Sequence, residues 1–317
     1  MKRLVVILLM VVFSLSMLGC QKEQKAAQTP TPAPQKTITI GVMPDVESIP
    51  FIIAEKNGYF TEQGVKVKIE HFKSAQDRDS ALQSGKLDGV ITDILAVVFN
   101  NEGGIQLKIC AKNDGNVELL AGKDSSINTI KDLKGKKLGL STNTIMEYTA
   151  DRMLEAGGSE AEEINKIAIP KLPTRLEMLE GGKVDAAILP EPLAGLAVKN
   201  GAIILSSTDQ LQNKAGAIAF TAQSLKENRE SVKAVFKAYN QAVAYLEKEP
   251  PASYIDFIIE SQSFPPTIKD SLQLPQYTKA ELPSEKIFND VVQWLQAKKL
   301  IKGSYEYKDL VDQEILR

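Results

Sequence analysis

Four acids, Asp45, Glu47, Asp93 and Glu191, stand where short apolar runs give way to loops. Carboxylates in such places suit an amine, an amidine or an aminopyrimidine, which they can hold by charge-assisted hydrogen bonds. A different chemistry sits in Ser141-Thr142-Asn143-Thr144. There hydroxyls, an amide and backbone N–H groups meet at the start of a helix, a combination that favours a sulfonate, carboxylate or phosphate. Thr144 and Glu147 also have capping-box spacing, so part of that loop serves its own helix. Ser48 shares the loop of Asp45, Ser74 opens a further helix, Thr92 precedes Asp93, and Asn116 lies just before an expected chain crossing. These residues complete the candidate binding set. Its charges point both ways, to cations and to anions.

Other chemistries find little support. The chain has one histidine, His71, and two cysteines, Cys20 and Cys110. Transition-metal sites draw on several Cys, His or carboxylate ligands, so neither a metal centre nor a cofactor is expected. A nucleophilic triad is equally unsupported, and the protein reads as a binder rather than an enzyme. Cys110, within the apolar run IQLKICA, reads as a small buried hydrophobe. Phe51, Tyr148 and Phe220 could wall a cleft, but core packing is the simpler role for each.

The elements that must position these groups announce themselves by repetition. RDSALQSGKLDGV (78–90) and RLEMLEGGKVDAA (175–187) match at Arg, Leu, Gly, Lys and Asp in one register. Each reads as a helix, a glycine in the left-handed position that ends it, a tight turn and a short apolar strand. Such units build parallel α/β layers, and two copies imply two similar lobes with a cleft between them. Arg78 and Arg175 could offer forks to an anion, but their matched positions argue for a shared structural role. Further strands are expected at 38–42, 65–72, 107–112, 136–141, 166–170 and 202–207, with a helix at 145–156. The segment 118–122 reads as the crossing into the second lobe and AIAFTA (217–222) as the return. Lobe 1 is then 37–121 plus 218–317, and lobe 2 is 122–217. Helices follow at 224–247, 251–262 and 284–299. In open sheets of this kind ligands bind beyond the carboxyl ends of the strands, where the candidate residues lie.

The N-terminal region has another purpose. Lys2 and Arg3 precede an apolar stretch from 4 to 18, and Gly19 precedes Cys20, the pattern of a signal peptide over residues 1–19. Residues 20–36 hold three prolines and no large apolar side chain, as a disordered tether would. Without Lys2 and Arg3, 36 basic residues face 40 acidic ones, a balance of −4. A mildly acidic chain with no basic stripe argues against nucleic acid as a partner.

PFIIAEKNGYFTEQGVKVKI (50–69), ALQSGKLDGVITD (81–93) and DAAILPEPLA (185–194) together resemble the type II periplasmic solute-binding proteins of the nitrate, sulfonate and thiamine-pyrimidine group. MLGC (17–20) resembles the lipoprotein cleavage box. The resemblance implies an α/β fold of two lobes, each a mostly parallel sheet flanked by helices, joined by a two-strand hinge. It also implies a monomeric, membrane-tethered component of an ABC importer, acylated at Cys20, that hands a small solute to a permease from the outer face of the membrane. Glu191 falls in the family's Glu-Pro segment facing the ligand. A solute-sensing lipoprotein would use the same cleft. The related iron-dependent pyrimidine synthases carry cysteines and histidines that are lacking here.

Overall fold

A computed structural model describes residues 36–317. The expected signal segment, Cys20 and all but the last residue of the expected tether lie outside the described residues. The described residues form ten strands: β1 (Ile38–Val42), β2 (Val67–His71), β3 (Gly89–Asp93), β4 (Leu107–Lys112), β5 (Val117–Ala121), β6 (Lys137–Leu140), β7 (Asn165–Ala168), β8 (Ala186–Pro190), β9 (Ile203–Ser207) and β10 (Gly216–Thr221). They form two five-stranded sheets, in the orders β2-β1-β3-β10-β4 and β7-β6-β8-β5-β9. In the first sheet β1 is parallel to β2 and β3, while β10 runs against β3 and β4. The second sheet repeats this, with β5 running against β8 and β9. The inner strands β3 and β8 are buried along their whole length, because helices cover both faces. They therefore read as unbroken apolar runs rather than alternating ones.

The two repeats have one physical design. Helices Ala75–Gln83 and Leu172–Glu180 lead into β3 and β8. Gly85 (φ 72°) and Gly182 (φ 63°) take the left-handed conformation after them, which a side chain would strain. Asp88 then accepts the Thr39 N–H at 2.9 Å, and Asp185 accepts the Lys137 N–H at 2.8 Å, so each turn is stitched to the neighbouring parallel strand. Arg78 Nη1 donates to the Ile91 carbonyl at 2.8 Å, and Arg175 Nη1 donates to the Ile188 carbonyl at 2.7 Å, each bond running to a residue 13 positions on. The matched arginines do share a structural role, since each is a buried strut between a helix and its own strand.

Two elements differ from expectation. The expected crossing at 118–122 falls instead largely on strand β5, hydrogen-bonded between β8 and β9. Residues 217–222 are not a return crossing either, since β10 lies between β3 and β4. The chain passes between sheets at 113–116 and again at 212–215, so strand pairing assigns 117–121 to the second sheet and 216–217 to the first. Each displaced strand is antiparallel and owes its place to its partners, which local pattern cannot report. The expected helix 224–247 is two helices, Ala222–Glu227 and Arg229–Lys248, broken at Asn228 (φ −131°).

The C-terminal helices pack on the first sheet's layers and reach across to the second. Helix Ile145–Ala156, after β6, meets helix Glu285–Ala297 through a polar and aromatic seam. Tyr148 donates to Asp290 at 2.6 Å, Arg152 binds both oxygens of Asp290 at 2.9 Å, and Trp294 Nε1 donates to Asp151 at 3.0 Å. The Tyr148 and Trp294 rings meet edge to face at 5.8 Å. Tyr148 is fully buried in this seam, and Phe51 and Phe220 are core residues too.

The strut in the second lobe is open to a direct test. Arg175→Leu leaves the Ile169 and Ile188 carbonyls without the guanidinium that now serves them. At about 1–3 kcal/mol for each buried orphan acceptor, urea unfolding is expected to show a loss on the order of 2–6 kcal/mol. Arg175→Lys should recover only part of it, because one ammonium cannot reproduce the planar fork.

Candidate functional site

A cavity lies between the two sheets, at the carboxyl ends of β1, β3, β6 and β8. Its wall includes Asp45, Thr92 and Asp93 from the first lobe and Ser141, Thr144 and Pro190 from the second. The crossings contribute Asn113, Gly115, Lys214 and Ala215. The apolar wall is aliphatic, formed by Met43, Ile145, Met146 and Leu172, and no aromatic ring lines it among the described residues.

Six of the residues singled out from sequence thus meet here: Asp45, Glu47, Thr92, Asp93, Ser141 and Thr144. The other six do not line the cavity. Ser48 is buried beneath it, donating to the Met43 and Asp45 carbonyls and accepting from Gln262. Ser74 caps its helix by accepting from the Asp77 N–H and donating to the Asp77 carboxylate. Asn116 braces the crossing, accepting from the Thr208 hydroxyl at 2.9 Å and from the Asp209 N–H at 3.2 Å. Thr142 and Asn143 are on the exterior of their loop, with Asn143 left-handed at φ 55°. Glu191 turns back to accept the Gly195 N–H at 3.1 Å.

The arginine struts differ at the cavity. In the second lobe Ser141, one residue past β6, accepts from Arg175 Nη2, and Ile169 O accepts two further bonds at 2.9 and 2.8 Å. In the first lobe Met43 stands one residue past β1. It offers Arg78 Nη1 only a weak sulfur contact at 3.9 Å. Arg78 Nη2 consequently has no hydrogen-bond partner among the described residues, although the side chain is buried. Asp45 Oδ1 and Thr92 Oγ1 are in the same condition. All three residues line the cavity. A buried polar atom without a partner costs about 1–3 kcal/mol, and three at one cavity mark where a ligand's polar atoms would fit.

Charge is distributed just as unevenly. Burial alone pulls the Arg175 guanidinium down to about 10. Burial also opposes the charge on Arg78, but Asp79, in contact at 2.9 Å, with Asp93 and Asp45 nearby, raises it above its ordinary value. Burial pushes the Asp45 carboxyl up to about 7 against the pull of the Ser48 N–H and Arg78. It pushes Asp93 up to about 6, although Arg78 and the Ala96 N–H stabilise its charge. Glu47 is raised well above the carboxylate range by burial, then by Asp45 and Asp93. Away from the cavity, burial and the neighbouring Glu118 bring Glu191 to about 7.

Sequence reasoning gave Arg78 a mainly structural role and passed over Asn113, Thr149, Thr208 and Lys214, which also line the cavity. The signal for Arg78 was available. Aligning the ends of β1 and β6 places Met43 opposite Ser141, which removes one acceptor from the first arginine. His71 hydrogen-bonds Gln262 at 3.1 Å and does not line the cavity. Cys110 is buried, with its thiol pushed up by desolvation.

Two five-stranded, mostly parallel sheets with an exchanged strand each, enclosing a cavity at their carboxyl ends, define a two-lobed periplasmic binding protein fold. The alkanesulfonate-binding protein SsuA of Xanthomonas axonopodis pv. citri, solved with bound MOPS, superposes with a TM-score of 0.73 at 18% identity over 88% of this chain and 99% of that one. The nitrate-binding protein NrtA of Synechocystis PCC 6803 also gives 0.73, at 16% identity over 89% and 87%. The NMT1/THI5-like family matches residues 45–253, and the chain belongs to that family. A putative aliphatic sulfonates-binding protein of Bacillus subtilis is 25% identical over 100% of this chain and 96% of its own length. A putative ABC transporter periplasmic binding protein of Brachyspira hyodysenteriae is 24% identical over 68% of this chain and 66% of its own, just under two thirds. A pyrimidine phosphate synthase of Saccharomyces cerevisiae is 24% identical over 77% of this chain.

The raised carboxyls make stability fall as pH rises. In the unfolded chain Asp45 and Asp93 ionise near 3.9, while in the folded protein they keep their protons to about 7 and about 6. Between pH 4 and 7 these two groups therefore hold more protons in the native state, and their contribution to stability falls with pH in that window. Asp45→Asn is expected to flatten the decline and to raise the melting temperature of the ligand-free protein at pH 8, at roughly 2–4 °C per kcal/mol. Calorimetric scans from pH 4 to 8 measure both.

Proposed function

We propose that the protein is the solute-binding component of an ABC importer, held at the outer face of the membrane by an acylated Cys20. It captures a small organic solute in the cavity between the sheets and delivers it to a permease. The observation that carries this reading is the convergence of Arg78 Nη2, Asp45 Oδ1 and Thr92 Oγ1, buried and without partners among the described residues, on one interlobe cavity. The relatives named as binding proteins, and the signal-like N-terminus, support the same reading. Among the described residues no helix is long and apolar enough to cross a membrane. Attachment through the N-terminal cysteine would supply the contact with the bilayer.

The two crossings, 113–116 and 212–215, are short enough to act as a hinge. Opening about them would separate Tyr148 and Arg152 from Asp290 and Trp294 from Asp151, the seam that joins the lobes. Ligand closes the lobes by adding contacts to both walls, and the closed pair of lobes is the form that docks on a permease. Calorimetry and small-angle scattering test this together. Ligand at a hundredfold excess over its Kd should stabilise the protein by about 2.7 kcal/mol and reduce its radius of gyration. Arg152→Ala should weaken binding severalfold by favouring the open form, with a larger radius before ligand is added. Unchanged scattering at saturation would remove lobe closure from the account. Cys20→Ser is expected to release the protein from the membrane fraction and to abolish labelling by radioactive palmitate.

A further inference from the structure

The cavity sets tighter limits on its ligand than the family does. It encloses about 80 Å³ in which the centre of a water molecule fits. One water needs roughly 10–15 Å³ on that measure, so the space suits roughly five to eight heavy atoms. No ring lines the wall among the described residues, so a flat aromatic solute finds no stacking platform. The charges are lopsided. Asp45, Glu47 and Asp93 face the cavity, and Arg78, the buried cation among them, is already paired with Asp79 at 2.9 Å. Lys214 at the crossing is paired with Asp209 at 2.6 Å. Asp93 has the Ala96 N–H at the start of its helix as a partner. Asp45, with 8% of its surface exposed, has neither a counter-cation in contact nor a partner for Oδ1 among the described residues.

Resting on the solute-binding reading above, we propose that the cleft selects a small organic cation, an ammonium or amidinium of roughly five to eight heavy atoms, over sulfonates and nitrate. The cationic head sits against Asp45, Asp93 and Glu47 and provides the missing counter-charge. One acceptor atom on the same solute takes the free Arg78 Nη2, with Thr92 Oγ1 beside it. Gly115 keeps room for this arrangement: a Cβ there would lie 2.1 Å from the Glu47 carboxylate. An anion in the same cavity would face three acids and an arginine whose charge is already met.

The charged and titratable groups around Asp45 are Arg78, Asp79, Glu47 and Asp93 from its own lobe, with Tyr277 packed behind. Lys214 and Asp209 stand at the crossing side. In the empty cleft Asp45 and Asp93 titrate near 7 and 6. A bound cation lowers both, so binding releases protons and affinity rises with pH. A bound anion would require the carboxyls protonated and take protons up.

The experiment is a thermal-shift and calorimetry series on the signal-free protein, with chloride salts of 3-hydroxypropylammonium, 4-hydroxybutylammonium, choline and 2-hydroxyacetamidinium, each of roughly five to eight heavy atoms with one hydroxyl acceptor, against sodium ethanesulfonate and nitrate. At least one of the four cations is expected to raise the melting temperature and the anions are not. At pH 6.5, titrations in buffers of different ionisation enthalpy should show proton release, and affinity should climb about tenfold per released proton and pH unit below the carboxyl values. Asp45→Asn, which keeps shape and removes charge, should lose at least tenfold in affinity for that cation. Stabilisation by ethanesulfonate or nitrate with proton uptake, and none by any cation, would overturn the cation preference and leave the solute-binding reading standing. No response to a probe of either sign, with no compaction in scattering, would overturn both.

Discussion

A buried guanidinium tying a helix to the strand that follows it is the constraint from which the rest of this structure is built. Arg78 and Arg175 make the same bond to a strand carbonyl 13 residues on, and the Asp of each repeat stitches the next turn to the neighbouring strand. The charge is hidden from water, and that hiding is tolerable only where carbonyls or carboxylates answer it. The second lobe answers with two backbone carbonyls and a serine. The first answers with one carbonyl and Asp79, and leaves a donor over at the cavity. One residue beyond the strand, Met43 in place of Ser141, separates a closed scaffold from an open binding site.

The second lobe contributes shape and the first contributes charge. Ser141 lines the cavity while already engaged by Arg175, and Thr144 is occupied in donating to the Ser141 carbonyl and in capping its helix. Aliphatic Ile145, Met146 and Leu172 give that side an apolar wall. Across from it stand Asp45, Glu47, Asp93 and Arg78. Lobes with matched skeletons need not present matched walls, and here the charged groups at the cavity come almost wholly from one of them. The other lobe serves to exclude water, which strengthens every electrostatic contact across the cavity.

What could be read in the chain follows from where its information is local. Helix Ile145–Ala156 and strand β4 have the expected ends because capping residues and apolar runs mark them. β5 and β10 read as crossings in the sequence because their placement depends on partners from remote segments, against which they pair antiparallel. The same division applies to the cleft. Asp45, Thr92 and Asp93 were legible as residues at strand ends, where the fold class puts its ligands. Thr142, Asn143 and Glu191 occupy equally promising positions, yet a left-handed residue carries the loop tip outward and the Gly195 N–H draws Glu191 away. Asn113 and Lys214 reach the cavity from the crossings and Thr208 from the short helix before the second of them, and nothing local marks a crossing as a wall.

The acids of the cleft also explain why a fold with such regular supports carries unsatisfied atoms at its centre. Each raised carboxyl is a place where the ligand-free protein gives up stability in order to keep a site dry and charged. Neutralising Asp45 would relieve that cost in the ligand-free protein. A solute that restores the missing partners would add most stability where both walls touch it. The unsatisfied atoms are therefore not a defect of packing but the reserve of interaction that a bound solute would draw on. Its magnitude is set by how completely the second lobe's aliphatic wall removes water from Asp45.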